Sequence, residues 1–420
     1  MAIREPAGRD LPGAIVLGGA LGSLAAARSL GRRGIPVAFL THDNVLPRFS
    51  RYVVRFASWP GPEDPAAEAF LLGLAAREKL RGWVVIPGGD AEMRFVAEHH
   101  ARLSTAFRLV TRPWDIMRWA YDKQLTYARA AAAGLDFPRS FYPRDRSEIE
   151  GLPCRFPAIL KPRKREVRNA FTLAKAWRAD DRERLLSLYD KAVALVGPEA
   201  IVVQELVPGD GSTQFSYAGL WRNGAPVASM VAVRRRQYPI EFGYTSTLVR
   251  SAEEPEVTAA AERFLRPLGY HGLVEIEFKR DGRDARFKLL DVNARIWNWL
   301  SLGAAAGVDF AYLAWQLGVG LPVEPAQGIA GTSWVHVPRD IAAGLYEVAA
   351  GWTRLGDWLG SYRGRVEPAV FAWDDPLPAV MELPLVCYRV LTRRAPAAIA
   401  NRFGMRFRAA PPDTLSAPRE

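Results

Sequence analysis

Cysteine is nearly absent from this chain of 420 residues, which contains only Cys154 and Cys387. Two cysteines are too few for a disulfide framework or a thiolate metal cluster, and such a composition is typical of proteins of the reducing cytosol. The five histidines show no zinc-binding spacing, and no G-x-S-x-G motif of a serine nucleophile occurs. The sequence therefore argues against a disulfide-stapled domain, a zinc enzyme and a serine hydrolase.

Long apolar runs are also lacking. No uninterrupted run approaches the ~20 residues needed to span a bilayer. The opening stretch "MAIREPAGRD" carries charges of both signs, unlike the apolar stretch of a signal peptide. We therefore expect a soluble, cytoplasmic protein without a transmembrane segment. Hydrophobic residues make up 49% and charged residues 24% of the chain, values that are ordinary for globular proteins.

Positive charge is in excess, with a net charge of +11. This excess favours anionic partners without choosing among them. Basic residues are not interleaved with aromatic residues on one element, so we do not expect nucleic acid as a partner. The Arg-rich stretch "YRVLTRRAPAAIANRFGMRFR" near the C-terminus is interpreted first as a basic surface helix, with peripheral membrane contact as the alternative. The sequence does not give the oligomeric state, and a homodimer is one candidate, since dimers are the commonest homo-oligomers.

The first part of the chain has the pattern of a Rossmann-like domain. "AIVLGG", "LGSLAAARSLGRRG" and "IPVAFLT" read as strand, glycine-rich turn with helix, and strand, and a second cycle follows. This pattern predicts a doubly wound α/β domain over residues 12–115. The glycines at 18, 19 and 22 do not meet the G-x-G-x-x-G spacing, although Asp43 follows at a suitable distance. Close packing of helix on strand is the preferred reason for these glycines, and dinucleotide binding by a dehydrogenase is the alternative.

The second part has a different pattern. Strand-like segments such as "FPAILKPR", "AIVVQELV" and "GLVEIEFKRDG" follow in quick succession, separated by hairpin-like turns and two amphipathic helices. This pattern predicts an α+β domain with mostly antiparallel sheet over residues 116–325. From residue 326 to residue 420 the pattern is largely helical and ends in the basic tail.

Two short stretches place polar side chains on one face of neighbouring strands. In "EIEF", Glu275 and Glu277 alternate with apolar residues. In "FKLLDVNARIWNW" the alternating polar residues are Asp291, Asn293 and Arg295. Successive side chains of a strand point to opposite faces, so each set shares one side. A short turn joins the two stretches, which predicts a hairpin that gathers these groups on one surface.

Such a surface has two interpretations. Two carboxylates and an amide oxygen are hard ligands of the kind that Mg²⁺ takes when phosphate supplies the remaining oxygens. The alternative is a pair of surface acids neutralised by neighbouring Lys and Arg. The residues alone leave both interpretations open.

At this point the sequence resembles the ATP-grasp carboxylate–amine ligases. "GLVEIEFK" and "FKLLDVNARIW" are similar to the paired metal-binding strands of that family, and three further segments resemble family motifs in the family's order. These segments are "YDKQLTYARAAAAGLDFPRSF", "FPAILKP" and "VVQELVPGDG". The resemblance covers about residues 12 to 325 and implies a Rossmann-like domain before an ATP-grasp fold, whose lobes would be residues 116–207 and 208–325. "RRRQYPIEFGYTS" and "NARIWNW" look most like the branch containing D-aspartate ligase.

The resemblance implies roles for individual residues. Mg²⁺, with Mn²⁺ as an alternative ion, would be held by Glu277, Asp291 and Asn293. ATP would contact Lys123 and Lys161 through its phosphates, the backbone of Glu205 and Val207 through adenine, Gln204 beside the base, and Asp210 at the ribose. Arg295 and Lys161 would act on the transferred phosphoryl group. Arg234, Arg235 and Arg236 would grip the substrate carboxylate, with a charged edge strand as the alternative.

The sequence departs from the family in two places. Asp291 stands where glutamate is usual, which shifts the metal by about one methylene. The loop after Lys161, "RKREVRNAF", has no glycine, whereas the family's lid over the phosphates is glycine-rich. Arg163 and its neighbours Lys164, Arg165 and Arg168 offer charged donors in its place.

The resemblance implies an ATP-dependent ligase that joins a carboxylate to an amine through an acyl phosphate. Two alternatives stay open beside it. One is another ATP-grasp enzyme that uses bicarbonate or another acid, and the other is a non-catalytic ATP-binding protein, which the glycine-free lid favours.

Overall fold

The architecture is given by a computed structural model that describes residues 11–163, 169–174, 176–238, 245–389 and 391–392. Within these residues the chain forms three β-sheets with helices packed around them. Four short 3₁₀ helices accompany them, at Leu46–Phe49, Pro198–Ala200, Gly211–Thr213 and Arg266–Leu268.

The first sheet is parallel, as the Rossmann-like pattern predicts. Its strands are β1 (Ala14–Leu17), β2 (Val37–Thr41), β3 (Val53–Ser58), β4 (Val84–Pro87) and β5 (Arg108–Leu109), in the order β3-β2-β1-β4-β5. The helices among them are α1 (Leu21–Gly31), α2 (Ala67–Arg77), α3 (Asp90–Glu98) and α4 (His100–Leu103). The strands β1, β2 and β4 are wholly buried, because helices or neighbouring elements cover both faces of a parallel sheet. Strand order reverses between β1 and β4, where ligands commonly bind in α/β sheets.

A small antiparallel sheet follows two connecting helices, α5 (Trp114–Tyr121) and α6 (Lys123–Ala132). Its strands are β6 (Ser140–Phe141), β7 (Ala158–Pro162), β8 (Trp177–Ala179) and β9 (Ile201–Glu205), in the order β6-β9-β7-β8. The helices α7 (Arg146–Glu150), α8 (Ala170–Leu173) and α9 (Arg182–Val196) belong to this part of the chain. Helix α9 buries Leu185, Leu188 and Ala192, spaced three and four residues apart, in the core of this lobe.

The large sheet is antiparallel over its first five strands. It contains β10 (Gln214–Arg222), β11 (Ala225–Tyr238), β12 (Thr245–Ala252), β13 (Gly272–Arg280), β14 (Phe287–Asn293), β15 (Ala326–Gln327), β16 (Ser333–Val335) and β17 (Val366–Pro368). The order is β14-β13-β10-β11-β12-β16-β17, with β15 beside β11. The remaining helices are α10 (Pro255–Leu265), α11 (Leu300–Ala305), α12 (Phe310–Val319), α13 (Val337–Ala349), α14 (Leu355–Gly360) and α15 (Leu377–Arg389). The expected combination of α/β and mostly antiparallel α+β parts with helices towards the C-terminus is confirmed.

The residues after 326 are less purely helical than the pattern indicates. The described residues from 326 onward add β15, β16 and β17 to the large sheet and form three helices. They also return to the first domain, where the carboxylate of Asp375 accepts hydrogen bonds from Arg28 Nε at 2.9 Å and from Ser50 Oγ at 2.7 Å. Sequence periodicity does not predict these short strands and long-range contacts, because each involves only two or three residues.

None of the helices in the described part of the chain is both long enough and apolar enough to cross a membrane.

Candidate functional site

The strands β13 and β14 form the hairpin that the alternation of polar residues predicts. In their antiparallel register Glu275 lies opposite Asn293, and Glu277 lies opposite Asp291. A register irregularity follows Glu277, so that Phe278 pairs with Leu289. Residues directly opposite each other on antiparallel strands have neighbouring side chains. The hairpin therefore brings three carboxyl groups and an amide onto one surface.

Positive charge from the chain accompanies both carboxylates. Glu277 accepts a hydrogen bond from Gln214 Nε2 at 2.6 Å and lies 3.4 Å from a guanidinium nitrogen of Arg234. Asp291 Oδ1 lies 2.7 Å from the ammonium of Lys123. Both interpretations of the acidic pair agree with these contacts, because the neutralising cations occupy the positions that a bound metal ion would take.

Glu275 is a buried member of the site to which the family resemblance assigns no role. Its carboxylate accepts hydrogen bonds from Ser216 Oγ and Asn293 Nδ2, each at 2.7 Å. Burial, followed by the charge of Glu277, raises the pKa of Glu275 to about 7. Glu275 fixes the orientation of the Asn293 amide, so that its oxygen Oδ1 points away from Glu275. The alternation in "EIEF" is the sequence signal for this residue.

Arg295 joins the hairpin to the first domain. Its guanidinium donates to Asp90 at 2.8 and 3.2 Å, and also to Asn293 Oδ1 at 2.8 Å. Burial disfavours the charged form, but the attraction of Asp90 and of the hairpin carboxylates Glu275 and Asp291 outweighs it and raises the pKa of Arg295. The guanidinium is thus a permanent positive charge beside the acidic pair.

Lys161 and Gln204 belong to one hydrogen-bond network in the small lobe. Lys161 Nζ donates to Gln204 Oε1 at 2.9 Å, and Gln204 Nε2 donates to Tyr127 Oη at 2.9 Å and to Ser140 Oγ at 2.8 Å. The Tyr127 hydroxyl donates in turn to the carbonyl of Leu290 on β14 at 3.0 Å. This network places Lys161 and the end of β9 in contact, through Tyr127, with the strand that carries Asp291.

The segment after β9 holds the remaining residues expected at a nucleotide. Glu205 is buried, its backbone N–H donates to the Arg139 carbonyl at 3.0 Å, and its carboxylate accepts from the Arg155 backbone at 3.1 Å. Val207 is buried, whereas Asp210 is exposed and caps a 3₁₀ turn by accepting from Ser212. The Glu205 side chain therefore supports the fold here, which agrees with a role for its backbone alone.

The three consecutive arginines have three different environments. Arg234 lies beside Glu277, while Arg235 is exposed. Arg236 is buried and donates to Asp340 on α13 at 2.8 Å. The structure therefore brings Arg234 to the acidic pair and commits Arg236 to the C-terminal part of the chain. The following residues, 239–244, lie outside the described residues.

The loop expected to cover the phosphates is described only at its start. Arg163 donates to the carboxylate of Asp122 at 3.0 Å, next to Lys123 at the N-terminus of α6. Lys164, Arg165 and Arg168 lie outside the described residues. Arg163 and Lys123 are thus two cations at the N-terminus of α6.

The donor set fits a magnesium ion that shares its ligands with phosphate. Across the described residues, no cluster of three or more His, Cys, Asp or Glu could hold a metal alone. Two carboxylates and one amide oxygen leave most of an octahedral shell to other oxygens, as is usual for Mg²⁺ at nucleotide phosphates. The residues Glu277, Asp291 and Asn293 therefore suit an ion delivered with a nucleotide better than an ion held by protein alone.

The glycine-rich turn after β1 is filled by protein. A Cβ built on Gly22 would overlap the carbonyl oxygen of Trp297, and one built on Gly18 would overlap the carboxylate of Glu92. Trp297 and Trp299 are buried in the core that joins the first domain to the large sheet. These glycines permit close packing, which is the preferred interpretation of the sequence. Aromatic core packing likewise accounts for the two tryptophans.

Two residues of the first domain lie at the site although no sequence motif predicts them there. Asp90 binds Arg295, and Glu92 lies buried behind it with Oε1 3.6 Å from Nδ1 of His42. Burial raises the pKa of Glu92 to about 7. Both follow "IPGG" at the end of β4, and a polar residue directly after a buried parallel strand is the signal that could have identified them.

The ATP-grasp fold has a parallel α/β domain that is followed by two lobes built on antiparallel sheets. Paired acidic strands and two lysines lie between the two lobes. The chain has the ATP-grasp fold that its sequence motifs predict, and part of its sequence is similar to an ATP-grasp family. The profile of the family described as "ATP-grasp in the biosynthetic pathway with Ter operon" matches residues 222–336, which include the acidic hairpin.

Individual proteins are also similar to this chain in sequence or in fold. D-aspartate ligase of Enterococcus faecium is 22% identical over 268 residues, which are 60% of this chain and 63% of that protein. The L-amino acid ligase of Bacillus licheniformis superposes with a TM-score of 0.59 and 18% identity, over 75% of this chain and 76% of that one. The biotin carboxylase domain of the Hydrogenobacter thermophilus 2-oxoglutarate carboxylase, solved with MgADP and bicarbonate, gives a TM-score of 0.59 at 14% identity, over 76% and 73% of the two chains.

Proposed function

We propose that this protein is an ATP-dependent ligase that joins a small carboxylate to an amine and releases ADP and phosphate. The observation that carries the proposal is the register of the hairpin, which sets Glu277 opposite Asp291 with Lys123 2.7 Å from the latter. Its similarity to D-aspartate ligase and to an L-amino acid ligase supports amino acids or peptide-like compounds as the substrate class.

The charges in the site suit transfer of a phosphoryl group. Such reactions depend on positioning and on neutralising the phosphate oxygens rather than on covalent chemistry by the protein. Lys123, Lys161 and Arg295 supply positive charge, and Arg295 is held in place by Asp90. Mg²⁺ at Glu277, Asp291 and Asn293 would add further charge neutralisation at the phosphates when bound.

The reaction would proceed in two balanced steps. A carboxylate oxygen of the first substrate attacks the γ-phosphorus of ATP, the bond from that phosphorus to the bridging oxygen breaks, and ADP leaves. The amine then attacks the acyl carbon of the acyl phosphate, the carbon–oxygen bond to phosphate breaks, and the nitrogen loses a proton. Arg295, which lies beside Asn293, is the residue proposed to contact the oxygens of the transferred group.

The substrate carboxylate is proposed to bind near Arg234. This arginine is nearly buried and lies against Glu277, whereas Arg235 faces solvent and Arg236 is paired with Asp340. A guanidinium has more donors than its contacts with Gln214, Gln237 and Glu277 require, so a carboxylate can be added without breaking them.

The proposal includes the domain boundaries that the sequence predicts. Residues 12–115 would form the first domain, 116–207 and 208–325 the two nucleotide-binding lobes, and 326–420 the C-terminal extension. A cytoplasmic location and activity with Mn²⁺ in place of Mg²⁺ also belong to the proposal.

Bicarbonate is the second candidate for the acid. The biotin carboxylase domain has the same TM-score as the amino acid ligase, so the likeness of fold does not choose between the two acids. The sequence similarity to D-aspartate ligase favours an organic carboxylate.

The test is release of ADP in the presence of ATP and Mg²⁺ across a panel of amino acids and small carboxylates, each paired with amine acceptors. Release that depends on particular organic carboxylates, with a matching amide found by mass spectrometry, is the expected result. Release that depends only on bicarbonate would favour the second candidate. Binding of ATP in calorimetry without release under any condition would favour a non-catalytic protein and contradict the proposal.

A further inference from the structure

The outward face of helix α15 is apolar, which is the reverse of an ordinary surface helix. Leu377, Val380, Leu383 and Cys387 recur every three or four residues and are all exposed, as are Tyr388 and Leu391 beyond them. Val380 is 65% and Leu383 69% exposed. Residues at this spacing share one side of a helix, so the exposed side chains form one continuous stripe.

The inward face of the same helix contains the carboxylate of Glu382 and the residues that pack against the core. Pro378 is buried, and Ala379 and Leu385 pack against the core between the first domain and the large sheet. Glu382 lies 2.7 Å from Nε2 of His336, which is nearly inaccessible to solvent. The helix is thus fixed in an orientation that leaves its apolar side outward, and rotation of the helix would break these contacts.

A second exposed apolar stripe starts beside the first. Val337, Ile341 and Leu345 follow one another at four-residue intervals on α13, and each is at least 43% exposed. Val337 directly follows His336, the residue that contacts Glu382 of α15. Exposed apolar stripes on two helices that approach each other at the contact of His336 with Glu382 indicate an interaction site rather than ordinary surface.

The charges around α15 indicate what the surface binds. Between Arg389 and Arg408 the sequence contains six arginines and no aspartate or glutamate. The three acids that precede this run most closely already have partners, since Glu382 contacts His336, Asp375 binds Arg28 and Asp374 binds Arg32. Two copies of a chain whose sequence after α15 is this basic would repel each other at a shared α15 interface, which disfavours a homodimer here. An anionic partner is favoured instead.

We infer that the face formed by α13 and α15 docks on the surface of an anionic lipid bilayer. Exposed Leu and Val would enter the boundary between headgroups and acyl chains, while the arginines that follow would bind the acidic headgroups. Trp373, which is 90% exposed just before α15, and Tyr388 have the amphipathic rings that favour this boundary. The proposal is independent of the ligase activity.

Cosedimentation of the full-length protein with vesicles tests the inference. Vesicles of phosphatidylcholine are compared with vesicles that also contain phosphatidylglycerol, at low and high salt. The variant Leu383→Glu removes apolar surface and adds a negative charge at the proposed contact. Ile329→Glu is the matched control, because Ile329 is a similarly exposed aliphatic residue, 71% exposed, that lies outside both helices.

Binding that requires phosphatidylglycerol, weakens with salt, falls by about tenfold or more in Leu383→Glu and is unchanged in Ile329→Glu is the expected result. A combined Arg393→Gln and Arg394→Gln variant should lose part of the same binding. Absence of binding by the unmodified protein, or equal binding by Leu383→Glu, would overturn the inference. Dimerisation in analytical ultracentrifugation that Leu383→Glu abolishes would also overturn it, since a second copy would then cover the face.

Discussion

The ammonium of Lys123 lies 2.7 Å from the carboxylate of Asp291, although 168 positions separate the two residues in the chain. Lys123 begins helix α6, and Asp291 lies near the end of β14. The contact joins the segment expected to bind nucleotide phosphate to the segment expected to bind metal. The sequence predicts the two segments independently of each other. Because the fold brings Lys123 and Asp291 together, the site is a candidate for phosphoryl transfer.

Removal of either charge of the acidic pair should abolish Mg²⁺-dependent turnover. We expect Glu277→Gln and Asp291→Asn to lower kcat by about 10²–10³-fold, because each removes charge where phosphate and metal would meet. Asp284→Asn, at an exposed acid in the turn of the same hairpin, is the matched control and should keep full activity. Unchanged ADP release by Glu277→Gln would refute the metal-site assignment.

Replacement of Lys161 should weaken ATP binding. Lys161→Met removes the charge that donates to Gln204, and we expect the dissociation constant for ATP to rise about 10- to 100-fold, as for loss of a hydrogen bond to a charged group. Calorimetry with ATP and no second substrate measures this without turnover. Lys191→Met on α9, an exposed lysine of the same lobe, provides the comparison. Equal affinities for both variants would place the phosphates elsewhere.

Replacement of Arg234 and replacement of Arg235 should have different effects on kcat/KM. Arg234 lies beside Glu277 and Arg235 faces solvent, so Arg234→Ala should raise KM for the carboxylate substrate or lower kcat. We expect a loss in kcat/KM of about 10- to 100-fold, since a charged hydrogen-bond donor is removed. Arg235→Ala should stay close to the unmodified enzyme. A larger loss in the Arg235 variant would exclude the proposed carboxylate site.

Burial of Glu92 should make stability depend on pH. Burial raises its pKa from 4.5 to about 7, with Asp90 and Asp43 adding to the shift and Arg295 opposing it. The folded protein therefore holds a proton that the unfolded chain has lost, and the free energy of unfolding should fall as the pH rises through this window. Glu92→Gln should be more stable than the unmodified protein by roughly 2–3 kcal/mol at about pH 8, and by much less at about pH 5.

Urea unfolding at both pH values measures this difference. Glu98→Gln, at a more exposed acid at the end of α3, is the control and should follow the unmodified protein. Glu275 also has a raised pKa, but its contribution is present in every variant compared and cancels from the difference. A gain of equal size at both pH values would mean that Glu92 affects stability by packing and not by ionisation.

Two adjacent aspartates should differ sharply in their contribution to stability. Asp375 is buried with Arg28, whereas Asp374 and Arg32 are both about two-fifths exposed. Asp375→Asn leaves a buried guanidinium without its charge partner and should cost about 3–5 kcal/mol. Asp374→Asn should cost at most about 1 kcal/mol, because exposed ion pairs contribute little. Urea midpoints compare the two, and similar losses would contradict the structural role assigned to Asp375.

Local pattern determined much of this protein. The glycine-rich turn between "AIVLGG" and the helix, the alternation in "EIEF" and "LLDVNAR", and the order of the four motifs predicted a parallel domain, an antiparallel domain and the hairpin that carries the acids. These features follow from the two-residue period of strands and the 3.6-residue period of helices, which neighbouring residues in the chain express by themselves.

Contacts between distant segments escaped the sequence. The separation of Arg234 from Arg236 depends on Asp340, more than a hundred positions later, and the anchor of Arg295 depends on Asp90, which precedes it by 205 positions. No period in the chain encodes such pairs, since they arise only when whole elements pack together.

The sequence by itself thus determined the fold class and indicated the candidate metal ligands and the candidate phosphate-binding lysines, because local periodicity and motif order are properties of neighbouring residues. Only the tertiary structure decided which arginine lies beside the acids, that Glu92 is buried beneath the first domain's turns, and that α15 turns its apolar face outward. Those outcomes depend on which surfaces meet, and burial is a property of the assembled chain.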